Sequence, residues 1–93
     1  MLDLSYLSDD SGNDPSLILN DRVVRKLEDA FLFLKEKTGV YVDPYGKTRI
    51  YPEHQKILIK YLESKNKDDD IAAFVAFLLS SISQDEVIIA DGD

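Results

Sequence analysis

The spacing of apolar and polar positions predicts three helices in this 93-residue chain. From about Asp21 to Lys37, apolar residues recur at steps of three and four, which gives one apolar stripe. Residues Pro52 to Lys65 repeat this spacing, and the proline suits a first helical turn because its missing N–H costs nothing there. The third segment, Asp69 to about Ser83, is apolar on nearly every side. We expect this helix at the centre of the fold or in an interface between copies.

Between the first two helices, residues 40–51 carry the pattern of a short β-hairpin. Asp43-Pro44-Tyr45-Gly46 is a turn signal, since the proline presets φ and the aspartate can bond the backbone ahead of it. β-branched and aromatic residues flank this turn at Val40–Val42 and at Thr48–Tyr51. We therefore predict a mainly α (α+β) protein: a three-helix core with a short hairpin between helices one and two.

The two ends of the chain carry weaker patterns. Leu2–Tyr6 alternates apolar and polar residues, and it forms either a short strand that pairs with the hairpin or an apolar arm. Val87–Ala90 either adds one short strand or extends into solvent. We expect a single domain over residues 1–93, in which residues 1–14 and 88–93 are mobile acidic ends.

The net charge of −7 is concentrated at these ends. Residues 1–20 hold four acidic residues, residues 84–93 hold four more, and neither stretch contains Lys or Arg. Bulk acidity argues against nucleic-acid binding as the principal role, and it assists association with a basic protein. A third acidic group, residues 68–70, begins the third helix, where carboxylates cap N–H groups and face the positive end of the helix dipole.

The residue types indicate no catalytic residues, metal site or cofactor, so we expect a protein that is not an enzyme. The chain has no cysteine and one histidine, His54, without the nucleophile and orienting group that a catalytic centre needs. We expect its ring to pack beside Tyr51 or Tyr61. No apolar run reaches the ~18 residues that span a bilayer, and the N-terminus lacks a secretory pattern. We therefore predict a cytoplasmic protein that binds neither membranes nor nucleic acid.

Two alternative surfaces are candidates for binding a protein partner. Tyr45 and Arg49, at the predicted hairpin tip, are of the residue types most enriched in interface hot spots. The other surface is an acidic face, whose predicted members are Asp68, Asp69, Asp70, Asp85 and Glu86. If the acidic face binds, the association rate should fall steeply with added salt.

The segment Thr38–His54 resembles a stretch of small bacterial immunity-type proteins that are encoded beside toxin domains. Their pattern is an apolar residue, Asp-Pro-Tyr-Gly, a polar residue and threonine, then an apolar residue, proline and a helix. Residues 42–52 of this chain follow that order. The resemblance implies a cytoplasmic, non-enzymatic protein that neutralises a cognate toxin by binding it.

Our leading hypothesis is therefore an immunity or inhibitor protein that binds a toxin domain, for example a nuclease. The alternative is a structural or regulatory homodimer formed through the apolar third helix, around Phe74 and Phe77.

Overall fold

A computed structural model describes residues 1–9, 11–65 and 68–92. Within these ranges the chain forms four strands and four helices. Their order is β1 (Leu2–Tyr6), β2 (Leu17–Leu19), α1 (Asp21–Lys26), α2 (Glu28–Thr38), β3 (Lys47–Ile50), α3 (Pro52–Glu63), α4 (Asp69–Ser83) and β4 (Ile88–Gly92).

The strands form one antiparallel sheet in the order β2-β1-β4-β3. Tyr6 of β1 lies opposite Ile88 of β4, and Ile50 of β3 lies opposite the same residue on its other side. The two central strands thus come from opposite ends of the chain. The pairing of β3 with β4 places the end of β4 next to the start of β3.

The helices cover one face of this sheet. Successive side chains of a strand point to opposite faces, and here one set is buried under the helices: Leu2, Leu4, Tyr6, Ile50, Ile88 and Ala90. The Tyr6 ring lies 5.7 Å from that of Phe77 in α4, and Phe31 of α2 meets Phe74 edge-on. The opposite face of the sheet is open to solvent and carries exposed Asp3, Ile18, Lys47, Arg49 and Asp91.

The predicted fold was wrong in its β structure: the protein has a four-stranded sheet, not a three-helix core with a hairpin between helices one and two. Residues 40–42 form no strand, and β3 pairs instead with β4. An isolated hairpin is marginal in water, whereas β4 lets β3 join a sheet with a buried face. Residues 2–6 and 88–92, in the ends that we expected to be mobile, form the two central strands. Asp10 and Asp93, in those same ends, lie outside the described residues.

The helices lie close to their predicted positions. α4 has the predicted bounds, whereas the first helix is divided at Leu27 into α1 and α2. Gly39 ends α2 at φ 81°, a left-handed conformation that glycine adopts without strain. Among the helices of the described ranges, none combines the length and the apolar composition that crossing a membrane requires.

Candidate functional site

The turn at residues 43–46 presents the most exposed large apolar side chain among the described residues, that of Tyr45, which is 81% exposed. The Tyr45 N–H donates to the Asp43 carboxylate at 2.9 Å, and the Gly46 N–H donates to the Asp43 carbonyl at 3.3 Å. This is the side-chain-stabilised turn that aspartate before proline favours. The backbone is therefore fixed locally while the tyrosine ring stays in solvent.

The end of β4 holds this turn in place. The Gly92 N–H donates to the Gly46 carbonyl at 2.7 Å. A Cβ atom at position 92 would lie 2.1 Å from the Pro44 carbonyl oxygen, so only glycine permits this approach of two backbones. The Thr48 hydroxyl accepts the Asp43 N–H at 3.2 Å, which ties the start of the turn to β3. Tyr45 is thus carried on a turn that is anchored from two strands.

Tyr45 stands at the edge of a cleft of about 530 Å³ between α1, the start of α2 and residues 41–45. Val24, Phe31 and Val42 give this Tyr45 cleft an apolar lining; the phenylalanine and Val42 are buried, Val24 half-buried. The remaining lining residues are Met1, Asp21, Arg25, Glu28, Tyr41 and Pro44. Its volume is within the range of binding pockets, ~300–1,000 Å³. An apolar floor with a charged and aromatic rim suits a side chain of a partner.

Helix α1 separates the Tyr45 cleft from the acidic cluster at the start of α4. Asp21 and Arg25 line the cleft, and residues four apart share one side of a helix. Arg22 and Lys26, one position further along, instead contact the cluster. The two candidate regions therefore lie on different sides of one short helix.

The acidic cluster is occupied by contacts within its own chain. Lys26 Nζ lies 2.6 Å from the Asp68 carboxylate and 3.1 Å from that of Asp70, and Arg22 lies 3.2 Å from Asp70. Asp68 also accepts the Ile71 N–H at 2.9 Å as the N-cap of α4. The hydrogen bond from Lys26, followed by that N–H, holds the pKa of Asp68 below its usual range. Of the three predicted contacts here, only the exposed Asp69 makes no ion pair within the described residues.

Asp85 and Glu86 lie at the other end of α4. A helix of 15 residues places them roughly 22 Å from Asp68. Ser8 Oγ donates to both carboxylate oxygens of Glu86, at 2.7 and 2.6 Å. Asp85 has φ 54°, a left-handed conformation that aspartate tolerates better than most residues. Both residues shape the α4–β4 connection, and the structure does not bring the five predicted acids onto one face.

Arg49 is also separate from Tyr45. It projects from β3 onto the open face of the sheet, opposite Ile89 of β4, whereas Tyr45 borders the cleft against α1 and α2. The pair that we predicted at one hairpin tip is therefore divided between two surfaces. Of the two, Tyr45 lines the cleft and Arg49 does not.

The sequence prediction missed the part of the cleft that the helices supply, including Arg25, Glu28 and Phe31. One signal was present in the sequence. Asp21, Val24, Arg25 and Glu28 recur at steps of three and four and place charged residues next to a valine on one side of a helix.

His54 has the structural role that we predicted. Its ring lies edge-on to Tyr51 with the centroids 5.7 Å apart, and its Nδ1 accepts the Tyr51 N–H at 3.3 Å. Across residues 1–9, 11–65 and 68–92, no three His, Asp or Glu side chains are grouped so that they could hold a metal ion.

Helix α4 is covered largely within one chain. Phe74 and Phe77 are buried against the other helices and the sheet, so these two rings need no second copy to leave water. Leu79 is the large apolar residue of α4 that stays exposed, at 52%. The predicted homodimer would have to form around this residue.

Comparison of the chain with protein-family models, with curated proteins and with solved structures finds no match. The resemblance of residues 38–54 to immunity-type proteins therefore stays a prediction. The geometry around Tyr45 is the main guide to function.

Proposed function

We propose that this protein binds another protein through the Tyr45 turn and the adjoining cleft, and that it acts as a cytoplasmic immunity or inhibitor protein that neutralises a toxin by direct contact. The observation that carries the proposal is the exposed Tyr45 ring on a fixed backbone. Tyrosine is enriched in interface hot spots. A preformed turn also lowers the entropy lost on binding.

The location of this turn supports the immunity-type role. Asp43 to Gly46 is the central part of the segment that resembles immunity proteins. Together these residues form the turn on which the Tyr45 ring is exposed. The cleft beside the ring offers the concave, partly apolar surface in which a partner's anchoring side chain would be desolvated.

Charge supports a basic partner, of which a nuclease toxin is one example. The net charge is −7, and the Glu28 carboxylate lines the cleft without an ion pair to any described residue. Long-range attraction of this kind accelerates encounter and is screened by salt. We expect the association rate to fall as salt is added, with a smaller change in the dissociation rate.

The test begins with affinity capture from the native lysate by the wild type, by Tyr45→Ala and by Tyr51→Ala. Tyr51 is an exposed tyrosine outside the cleft and serves as the matched control. We expect a stoichiometric protein that Tyr45→Ala loses and Tyr51→Ala retains. Loss of one hot-spot tyrosine weakens binding by ~2 kcal/mol or more, about 30-fold.

The captured protein is then expressed alone and together with each variant. The proposal requires that it is toxic alone, that the wild type and Tyr51→Ala relieve the toxicity, and that Tyr45→Ala does not. A harmless partner would rule out the immunity role. A partner that Tyr45→Ala binds as well as the wild type does would rule out this surface.

The alternative proposal is a homodimer through α4, favoured by the exposure of Leu79. Sedimentation equilibrium would then give a mass near twice 10.6 kDa. The mass should return to that of one chain in Leu79→Asp and stay doubled in Ile18→Asp, a change on the open sheet face. A single-chain mass at high micromolar concentration would exclude this dimer.

A further inference from the structure

We infer that the Tyr45 cleft takes an arginine side chain of the protein partner. This inference rests on the proposed function and specifies what the partner inserts. It follows from three properties of the cleft: a carboxylate without an ion pair to any described residue, an exposed aromatic ring, and an apolar part of the lining.

The carboxylate is that of Glu28, in the first turn of α2. Its side chain is exposed and lines the cleft, and it makes no ion pair with any described residue. Asp21 already pairs with the Met1 amino group, which holds the pKa of Asp21 below its usual range. The Met1 amino group and the Arg25 guanidinium balance the charges of Asp21 and Glu28, so the cleft is neutral overall, but Glu28 is left without an ion pair. The Glu28 carboxylate is therefore the group in the cleft that a cation of the partner would pair with.

The aromatic ring is that of Tyr45. The ring of a second lining residue, Tyr41, is already covered by a cation of the same chain, since Lys35 Nζ lies 5.2 Å from its centroid. Within the described part of the chain, the Tyr45 ring has no such cation and no aromatic neighbour. A guanidinium is planar and weakly hydrated, and it stacks on an aromatic face more readily than an ammonium does.

The apolar lining suits the rest of an arginine side chain. Val24, Phe31 and Val42 line the cleft. The three methylenes of arginine can lie on such a surface while the charged head remains at the rim. A guanidinium combines bidentate bonding to carboxylates with stacking on aromatic rings, whereas a purely apolar side chain offers neither and an ammonium lacks the planar geometry.

The probe is N-acetyl-L-argininamide, titrated into the ¹⁵N-labelled full chain and followed by NMR. We expect saturable shifts confined to the backbone amides that border the cleft, with an apparent Kd on the order of 10 mM for one side chain. N-acetyl-norleucinamide has the apolar stem without the charge, and N-acetyl-L-lysinamide has the charge without the planar group. Both should bind several-fold more weakly at matched ionic strength.

Two variants and a control test the contacts. Glu28→Gln and Tyr45→Ala should each weaken argininamide binding about fivefold, the size of one exposed ion pair or cation–aromatic contact. Glu36→Gln removes an exposed carboxylate from the same helix, away from the cleft, and should leave the titration unchanged. Equal binding of the norleucine probe, shifts scattered outside the cleft, or no effect of Glu28→Gln would each overturn the inference.

The proposed function can fail or hold independently of this result. If a toxin partner is captured whose binding depends on Tyr45 but is indifferent to Glu28→Gln, the function holds and the arginine inference is wrong. If argininamide binds as expected but the captured partner proves harmless, the cleft chemistry holds and the immunity role fails.

Discussion

Strand β4 is anchored differently at its two ends, and each end adjoins a region that we predicted to bind a partner. At its start, buried polar side chains hold the chain: Gln55 Nε2 donates to the Glu86 carbonyl at 2.9 Å, and Ser81 Oγ donates to the same oxygen at 3.2 Å. At its end, Gly92 packs directly on the backbone of the Tyr45 turn.

The predicted contacts near the two ends also differ in whether their side chains are engaged within the chain. At the start of β4, the Glu86 side chain is engaged by Ser8, and the Asp85 backbone makes the turn. At the end, backbone atoms make the contacts between β4 and the turn, and the Tyr45 side chain is left exposed. The Tyr45 side chain takes no part in holding its turn and is available for recognition, whereas the Glu86 carboxylate is engaged within its own chain.

The largest effect should come from Gly92→Val, which breaks the backbone anchor. The new side chain cannot share space with the Pro44 carbonyl, so either the turn or the end of β4 must move. Overpacking of this kind destabilises by ~1–3 kcal/mol, and we expect about 3 kcal/mol because the obstructing atoms are backbone. Urea denaturation measures the loss, and NMR reports displacement of the amides at 43–46.

The matched control for that change is Asp91→Val, which puts the same side chain one residue earlier on the open face of the sheet. Its stability should stay within about 0.5 kcal/mol of the wild type. If both variants lost similar free energies of unfolding, valine would destabilise this strand at either position. The specific contact between Gly92 and the turn would then not be supported.

The next effect concerns the polar anchor at the start of β4. Gln55→Leu keeps the volume but removes the donors to the Ile50 and Glu86 carbonyls. The Ile50 carbonyl is left without its side-chain donor, which costs ~1–3 kcal/mol. The Glu86 carbonyl keeps the hydrogen bond from Ser81. Gln55 Oε1 has no partner among the described residues, and its removal offsets part of the loss. We expect a net destabilisation of about 2 kcal/mol.

Urea denaturation of Gln55→Leu and of Lys56→Leu, an exposed neighbour on α3, would measure this difference. A Gln55 variant as stable as its control would show that apolar packing, not hydrogen bonding, holds the α4–β4 connection. The Tyr45 amide should not shift in either variant, because the two ends of β4 are anchored separately.

Sequence reasoning located the helices because their signals are local. The capping aspartate before α4, the proline at the start of α3 and the glycine after α2 each act within one turn of the helix. The turn at residues 43–46 was predictable for the same reason. The anchoring of this turn by β4 was not predictable, since it depends on Gly92, nearly fifty residues away.

The sheet was not predicted because strand pairing is a non-local choice. Residues 40–42 are as β-prone as β4, and only the tertiary fold decides which of them pairs with β3. The separation of the five predicted acids was not predicted for a related reason. Charge is visible in sequence, but the Lys26 and Arg22 contacts that occupy Asp68 and Asp70 come from more than forty residues away.

A smaller effect, of opposite sign, should follow from Tyr6→Phe at the same end of the sheet as Glu86. The Tyr6 hydroxyl is buried without a hydrogen-bond partner in the described part of the chain. Removing an unsatisfied buried polar group is neutral or stabilising, here by up to about 1 kcal/mol. The ring contact with Phe77 is kept. A loss of stability in denaturation experiments would instead indicate that a buried water or another group satisfies this hydroxyl.

The smallest effect separates charge from helix capping at Asp68. Asparagine is also a good N-cap, so Asp68→Asn should keep the bond from the Ile71 N–H and lose the attraction to Lys26. Because Lys26 lowers the pKa of Asp68 in the folded chain, the carboxylate stabilises the fold above its unfolded pKa of about 3.9. That contribution disappears as the pH falls through the folded pKa. At neutral pH, the urea midpoint of the wild type should therefore be higher than that of Asp68→Asn. The difference between the two midpoints should shrink in acid and in high salt.

The control is Asp69→Asn, which changes the neighbouring carboxylate that has no contact with Lys26. A pH-independent difference would assign the role of Asp68 to capping alone, and would leave its charge available to a partner after all.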